Sequence, residues 1–389
     1  MKTRTLRCTV LASLLAVASA GALAEVKIGF LATMSGSAAA LGQDQYDGFM
    51  LALEQKGGKL GNVPVKIVKE DDQLKPDLAV QLTQKLIERD KVDLVTGVTF
   101  SNVAMAIAKP LEASGTIMIS SNAGPAQLAG KGCNANFFFT SFQNDDQAEV
   151  LGKYATDQGY KKLMLLAPNY QSGKDQVAGF KRYYKGTVVA EVYTQLNQPD
   201  YSAELTQVQA MQPDAIFAFF PGGMGVNFIK QMSQNGLLKK VPLLTVSTVD
   251  GTTLPAIKDM AIGTYAGAAW GPDLDTPANQ AFVKAFEQKY KRIPSQYAAQ
   301  AYDSALVIDS ALASTKGVAS DKAALRAAIR SAQFQSVRPA FKFDTNGFPI
   351  QDQYVFQVAK DAQGRVSLKK VASPLPGHRN SYVGECSLK

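Results

Sequence analysis

The sequence predicts an α/β fold of two Rossmann-like lobes, parallel sheets flanked by helices, joined by a multi-strand hinge. Two observations predict it. Short apolar runs alternate with amphipathic helical stretches along most of the chain, a pattern that demands parallel strands with helices on both faces. The alternation also completes one cycle by about residue 140 and then starts again, in a chain of 389 residues, too long for one small core.

The elements follow in order. Residues 1–24 combine Lys2, Arg4 and Arg7, an apolar run over 9–24 and the small-residue ending Ala22-Leu23-Ala24, the pattern of a secretory signal peptide cleaved after Ala24. The run is shorter than the ~20 residues a bilayer span needs, and Cys8 precedes it, the wrong side for an acylated cysteine. A strand over 26–30 leads through a small-residue turn into a helix over 45–56, which spaces Tyr46, Phe49 and Leu53 on one face and stops at Gly57-Gly58. A strand over 63–68 is followed by the acidic turn Asp71-Asp72 and a helix opened by Pro76, with Leu78, Leu82 and Leu86 at helical spacing. Residues 94–124 then read strand, polar turn, helix, strand, polar turn.

After an apolar stretch at 137–140 the pattern resumes with helices over 146–157, 173–183, 202–210 and 224–235, alternating with strands over 162–167, 187–193, 215–220 and 242–246. Helices over 277–291, 295–314 and 321–331 have Ala-rich faces that need the first sheet, so the chain is expected to cross back near Trp270-Gly271-Pro272 and again near 343–350. Strands over 353–358 and 366–371, joined by a turn at 360–364, then edge the second sheet. The expected organisation is a first lobe of 25–142 plus 273–343, a second of 143–272 plus 344–371, and a tail of 372–389. A hinge between such lobes makes a cleft that closes on a ligand.

Composition removes several function classes. Cleavage takes three of 41 basic residues and leaves 38 against 33 acidic ones, near +5, spread without a Lys/Arg block, which argues against nucleic acid. Cys8 leaves with the signal peptide, so Cys133 and Cys386 remain in an oxidising compartment; a disulfide between them is expected, two free thiols being the alternative. The single His378 lies in a Pro/Gly tail and reads as a solvated surface residue, so no Ser/His/acid triad and no histidine-based metal site can be assembled. Ser172-Gly173-Lys174 lacks the upstream glycine of a phosphate loop. Asp145-Asp146 reads as a solvated turn or helix cap, and Gly222-Gly223-Met224-Gly225 as a strand-to-helix connection. No catalytic constellation, metal or cofactor is expected.

Both polar turns of 94–124 leave the C-terminal end of a strand, where an open parallel sheet gathers ligands under helix N-termini and free backbone amides. Residues 99–102 and 121–124 are therefore expected to form half of a small-molecule site. Ser101 also suits a helix N-cap. Tyr170, Phe219, Phe220, Met224 and Trp270 fall at or near turns facing the inferred cleft, a pocket for a flat apolar body. Strand alternation turns one of Phe219 and Phe220 inward, and Phe220 is taken as the wall.

The segments VKIGFLATMSGSAAALGQD, GVTFSNVAMAIAKPLEASGTIMISSNAG, LLAPNYQSGKD and AAQAYDSALVIDSAL, spread over essentially the whole mature chain, resemble the branched-chain amino acid (Leu/Ile/Val) binding proteins, periplasmic components of ABC importers with the type I periplasmic binding fold. The resemblance implies a periplasmic, monomeric protein that hands a small-molecule carboxylate to an inner-membrane ABC permease. It implies that Ser101, Ala123 and Gly124 hold the carboxylate, and the helix dipole agrees with that. The turn after residue 246 offers Ser247-Thr248-Val249 before Asp250, where amino-acid-binding members use acidic and aromatic groups for the ammonium, and a buried ammonium without a carboxylate is costly. SSNAGP, NYQSGKD and FFPGGMG are similar to the branch that binds aromatic carboxylates. The candidate ligand-binding residues are Ser101, Asn102, Asn122, Ala123 and Gly124 from the first lobe, with Tyr170, Ser172, Phe220, Gly222, Thr248, Asp250 and Trp270 from the second. An amino acid or amide ligand, or a sensing domain of the same fold, is the alternative.

Overall fold

The structure, a computed structural model, describes residues 25–339 and 341–388; the signal peptide and Cys8 lie outside the described residues. The strands are β1 (Val26–Ala32), β2 (Lys59–Leu60), β3 (Val63–Asp71), β4 (Leu94–Gly97), β5 (Ile117–Ser120), β6 (Phe137–Phe139), β7 (Lys162–Pro168), β8 (Thr187–Thr194), β9 (Ala215–Phe219), β10 (Leu243–Val246), β11 (Tyr265–Ala268), β12 (Lys342–Phe343), β13 (Pro349–Lys360) and β14 (Val366–His378). The α-helices are α1 (Ala39–Gln55), α2 (Pro76–Glu88), α3 (Ser101–Ser114), α4 (Ala126–Ala129), α5 (Asp146–Asp157), α6 (Gln171–Tyr183), α7 (Ser202–Met211), α8 (Gly223–Gln234), α9 (Leu254–Ile257), α10 (Pro277–Tyr290), α11 (Gln296–Ser314) and α12 (Lys322–Arg330). Among the described residues no helix is long and apolar enough to cross a membrane.

Two sheets organise the chain, in the orders β2-β3-β1-β4-β5-β6 and β12-β13-β11-β10-β9-β7-β8, with β14 on β13. Their centres are parallel, and the antiparallel pairs sit at the edges: β2 on β3 in the first, and β13 against β11, β12 and β14 in the second. The central strands of each sheet are buried on both faces, as parallel strands require. On β1, Ile28 and Phe30 face the side covered by α1, α11 and α12, while Leu31 faces the side covered by α2 and α3. On β9, Ile216 and Ala218 face one core and Phe217 and Phe219 the other. Close helix packing is bought with glycine at Gly48, where a Cβ would stand 2.0 Å from the Ala298 carbonyl of α11.

Three features differ from expectation. Helix α1 starts at Ala39, well before 45, because the small residues after β1 continue through a short 3-10 turn into the helix. Strand β11 was not anticipated: YAGA carries too little apolar pattern to signal a strand, yet it bridges β10 to β13. Helix α10 does not simply cover the first sheet. Its Phe282 lies 6.0 Å from the Trp270 ring and 4.8 Å from Tyr302 of α11, so it spans the junction between the two sheets.

The C-terminal segment is docked, and β14 continues through His378, past the expected boundary at 371. His378 is a correction, because its side chain is only 7% exposed and bonds to Glu149, with Asp146 3.5 Å away. Asp145 and Asp146 are buried too. Asp146 accepts from the Gln143 amide as part of a cap, and Asp145 pairs with Arg182. Beyond His378, Arg379 bonds Asp344, Ser381 bonds Glu149 and Tyr382 bonds Asp145. Cys386 forms a disulfide with Cys133, the two Cα atoms 5.6 Å apart.

Candidate ligand-binding site

The turns after β4 and β5 are laced to each other before any ligand is considered. Gly97 and Val98 both have positive φ, 97° and 63°, a conformation a β-branched residue holds only when its surroundings impose it. Here they do: the Val98 amide donates to Leu31 O at 2.6 Å, and Val98 O accepts from the Ala123 amide at 3.0 Å. Asn122 Nδ2 donates to Thr99 O at 2.6 Å, and Thr99 Oγ1 accepts from the Thr33 amide at 3.0 Å. The strained turn launches α3 at Ser101, whose first-turn amides have no intrahelical acceptor and face the pocket with the positive end of the helix dipole.

Across the cleft, Tyr170 precedes α6, and its ring lies 6.0 Å from Phe100 and 6.1 Å from Phe219, nearly parallel to the latter. Burial pushes the Tyr170 hydroxyl well above the usual tyrosine range, a shift the Ser172 hydrogen bond opposes, so it stays a neutral group. Ser172 and Gln176 of α6, Phe219 at the end of β9, Ser247 after β10 and Tyr297 at the start of α11 complete the walls. Among the described residues neither amide atom of Gln176 has a hydrogen-bond partner, although the residue is fully buried. Among the described residues no Asp, Glu, Lys or Arg lines the pocket. The space enclosed is about 20 Å³, room for one water, so a ring enters only as the walls move apart.

One residue joins the two halves. Asn144 Nδ2 donates to Ser101 Oγ at 3.0 Å and to Asp175 Oδ2 of α6 at 2.8 Å, while its Oδ1 accepts from the Gly124 amide at 3.3 Å. Ser101 Oγ thereby acts as acceptor towards Asn144, leaving its O–H to donate into the pocket.

Of the residues singled out from sequence, Ser101, Asn122, Ala123, Tyr170 and Ser172 line this pocket. The amides of Ala123 and Gly124 are already engaged, with Val98 O and Asn144 Oδ1, so the second turn holds the first in place and the free donors are those of α3 and Ser101. A Cβ on Gly124 would stand 2.0 Å from Phe142 O, which accounts for the glycine by packing. Asn102 lies on the first turn of α3 outside the pocket walls. Gly222, with φ of 64°, lets the turn before α8 approach Leu41 of α1.

Phe220 is a correction: it is buried against Tyr201 and Phe228, and Phe219 is the residue on the pocket side. Thr248 is another, since its Oγ1 accepts from the Phe220 amide at 2.8 Å as a structural tie, and the pocket wall is its neighbour Ser247. Asp250 and Trp270 face a different and larger cavity. Trp270 Nε1 donates to Asn279 at 2.6 Å.

Residues 25–363 match the model of a family described as periplasmic binding proteins. The chain belongs to that family. It is the solute-binding component of an ABC importer, with the type I periplasmic binding fold. A Leu/Ile/Val-binding protein homologue from Brucella melitensis is 27% identical over 377 residues, covering 93% of this chain and 95% of the relative. An ABC-transporter solute-binding protein of R. palustris, solved in complex with benzoate, superposes with a TM-score of 0.89 at 31% identity, over 94% of this chain and all of that one. A second from Rhodopseudomonas palustris, in complex with 3,4-dihydroxybenzoic acid, gives 0.85 at 26% identity, over 91% and 98%.

In this binding protein, sequence reasoning set Phe220 and Thr248 above their neighbours Phe219 and Ser247, and it passed over Asn144, Gln176 and Tyr297. The last three carried no signal on their own: a mid-helix glutamine, a lone asparagine and a tyrosine before an Ala-rich run become wall residues only when distant elements meet.

Proposed function

We propose that this solute-binding protein captures a small aromatic carboxylate in the cleft between its sheets and delivers it to the membrane permease as a monomer, after secretion and cleavage of its signal peptide following Ala24. The carboxylate is held by the Ser101 hydroxyl and the first-turn amides of α3, and the ring packs among Phe100, Tyr170 and Phe219. The observation that carries the reading is the pocket wall without a charged side chain. Such a wall accepts a carboxylate through neutral donors and a helix dipole but leaves an α-ammonium without a counter-charge, a cost of several kcal/mol. Gln176, buried with an unpartnered amide, supplies one further donor and acceptor for the acid or a ring hydroxyl. The solved relatives with bound benzoate and 3,4-dihydroxybenzoic acid support the same class.

An amino acid ligand is the competing reading, favoured by the names of the curated relatives. A thermal-shift screen separates the two. Stabilisation by benzoate and its hydroxylated forms is expected; stabilisation by leucine or valine and by no aromatic acid would reverse the assignment. Turnover of any bound acid would overturn the reading of this protein as a binder without catalysis.

A further inference from the structure

The one histidine of the chain sits where the docked tail meets α5. Asp146 and Glu149 are three residues apart on α5 and so share a face of that helix, and the end of β14 brings His378 onto both. His378 Nε2 bonds Glu149 Oε2 and stands 3.5 Å from Asp146 Oδ1. One ligand atom from each of the three lies within 4.8 Å of the other two. None of them lines the acid pocket.

The far oxygens of the two carboxylates are anchored elsewhere. Asp146 Oδ2 accepts from the Gln143 amide at 3.0 Å, and Glu149 Oε1 accepts from Ser381 Oγ at 2.8 Å and from Arg182. Outer hydrogen bonds of this kind fix the direction of a metal ligand, and here they leave Asp146 Oδ1 and Glu149 Oε2 at the imidazole. Asp146 is 1% exposed, and its Oδ1 has no hydrogen-bond partner among the described residues. A buried carboxylate oxygen left so is costly and invites a cation. The charges agree. Asp145, Asp146 and Glu149 are all buried and are met by Arg182 and His378, so even a charged ring leaves one negative charge in excess, which a divalent ion on the neutral ring balances.

We propose that Asp146 Oδ1, Glu149 Oε2 and His378 Nε2 bind a zinc ion that clamps the end of β14 to α5. An imidazole nitrogen with two carboxylate oxygens suits zinc, whereas calcium takes oxygen ligands alone. Ligands at the usual distance from a tetrahedral zinc stand roughly 3.3 Å apart, close to the 3.5 Å between His378 Nε2 and Asp146 Oδ1. Without an ion the same three groups remain an ion-paired latch. A lone histidine in the sequence argues against such a site only because its two partner ligands lie more than 200 residues away.

The test is calorimetric titration of the untagged mature protein, stripped with EDTA, with zinc chloride and separately with calcium chloride. One zinc per chain is expected, with micromolar or tighter affinity and a raised melting temperature, and calcium at least tenfold weaker. His378→Gln removes the only histidine and should weaken zinc at least tenfold and abolish the rise in melting temperature. Asp146→Asn keeps an acceptor for the Gln143 amide and should weaken zinc similarly. Circular dichroism shows whether each variant is folded. Should neither fold, the wild type still reports: its single set of imidazole signals in a histidine-labelled NMR sample should move on adding zinc and stay in place on adding calcium. Absence of zinc binding to the wild type, zinc affinity unchanged in folded His378→Gln, calcium binding as tightly as zinc, or imidazole signals indifferent to zinc would each overturn the proposal.

Discussion

The Asn144 carboxamide stands 3.0 Å from the Ser101 hydroxyl and reaches Asp175 on the opposite side of the cleft with the same nitrogen. Asp175 also accepts from the Ala126 amide at 3.1 Å. Closure of the two sheets on each other is therefore tied to the group proposed to meet the ligand, whose hydroxyl accepts from Asn144 and so keeps its own proton to donate elsewhere. A ligand that engages Ser101 and α6 together shifts the open–closed balance by its differential affinity for the two forms.

Ser101→Ala removes one donor to a charged group. A loss of about 1.5–3 kcal/mol is expected, roughly ten- to hundredfold in the benzoate Kd, with little change in melting temperature. Calorimetry paired with thermal melting checks it, and an unchanged Kd would place the carboxylate elsewhere.

Phe219 and Phe220 are adjacent but belong to different environments. Phe220→Ala deletes a ring packed 4.8 Å from both Tyr201 and Phe228 and should cost about 3–5 kcal/mol of stability. Phe219→Ala should weaken aromatic acids far more than it lowers stability. Chemical denaturation and ligand titration of the two variants should give opposite rank orders.

The His378 latch carries a pH dependence. Burial opposes its charge, but the hydrogen bonds and charges of Asp146 and Glu149 prevail and push the ring up to about 10. Because the folded value lies above the unfolded one of about 6.5, the contribution is fully present below that pH and is lost as pH rises through about 10. The wild type should lose stability over that alkaline interval more steeply than His378→Gln, measured by melting temperature against pH.

The Cys133–Cys386 bridge closes a separation of 253 residues and fixes the docked tail. Replacing both with serine should cost about 2–5 kcal/mol, seen as a lower denaturation midpoint, while benzoate affinity stays near wild type because neither cysteine lines the pocket.

Much of the fold was legible because parallel α/β units write themselves as apolar runs between amphipathic helices, and the turn at Ser101 announced itself by position at a strand end. What failed did so for physical reasons. In β9 both faces are buried, so alternation separates Phe219 from Phe220 without saying which face leads to the cleft. The tail around His378 looked solvated because its partners, Asp146 and Glu149, lie over 200 residues away. Ser247 takes the wall position from Thr248 because its φ is 52°, a backbone choice that no side-chain pattern reveals.

The most direct measurement compares benzoate with phenylalanine by titration calorimetry on the mature protein, since both offer a ring and a carboxylate and only one adds an ammonium. With no charged side chain among the described residues of the pocket wall, benzoate should saturate a single site and phenylalanine should bind at least about a hundredfold more weakly, the cost of an unpaired buried ammonium. Phenylalanine or leucine binding as tightly as benzoate would contradict the account.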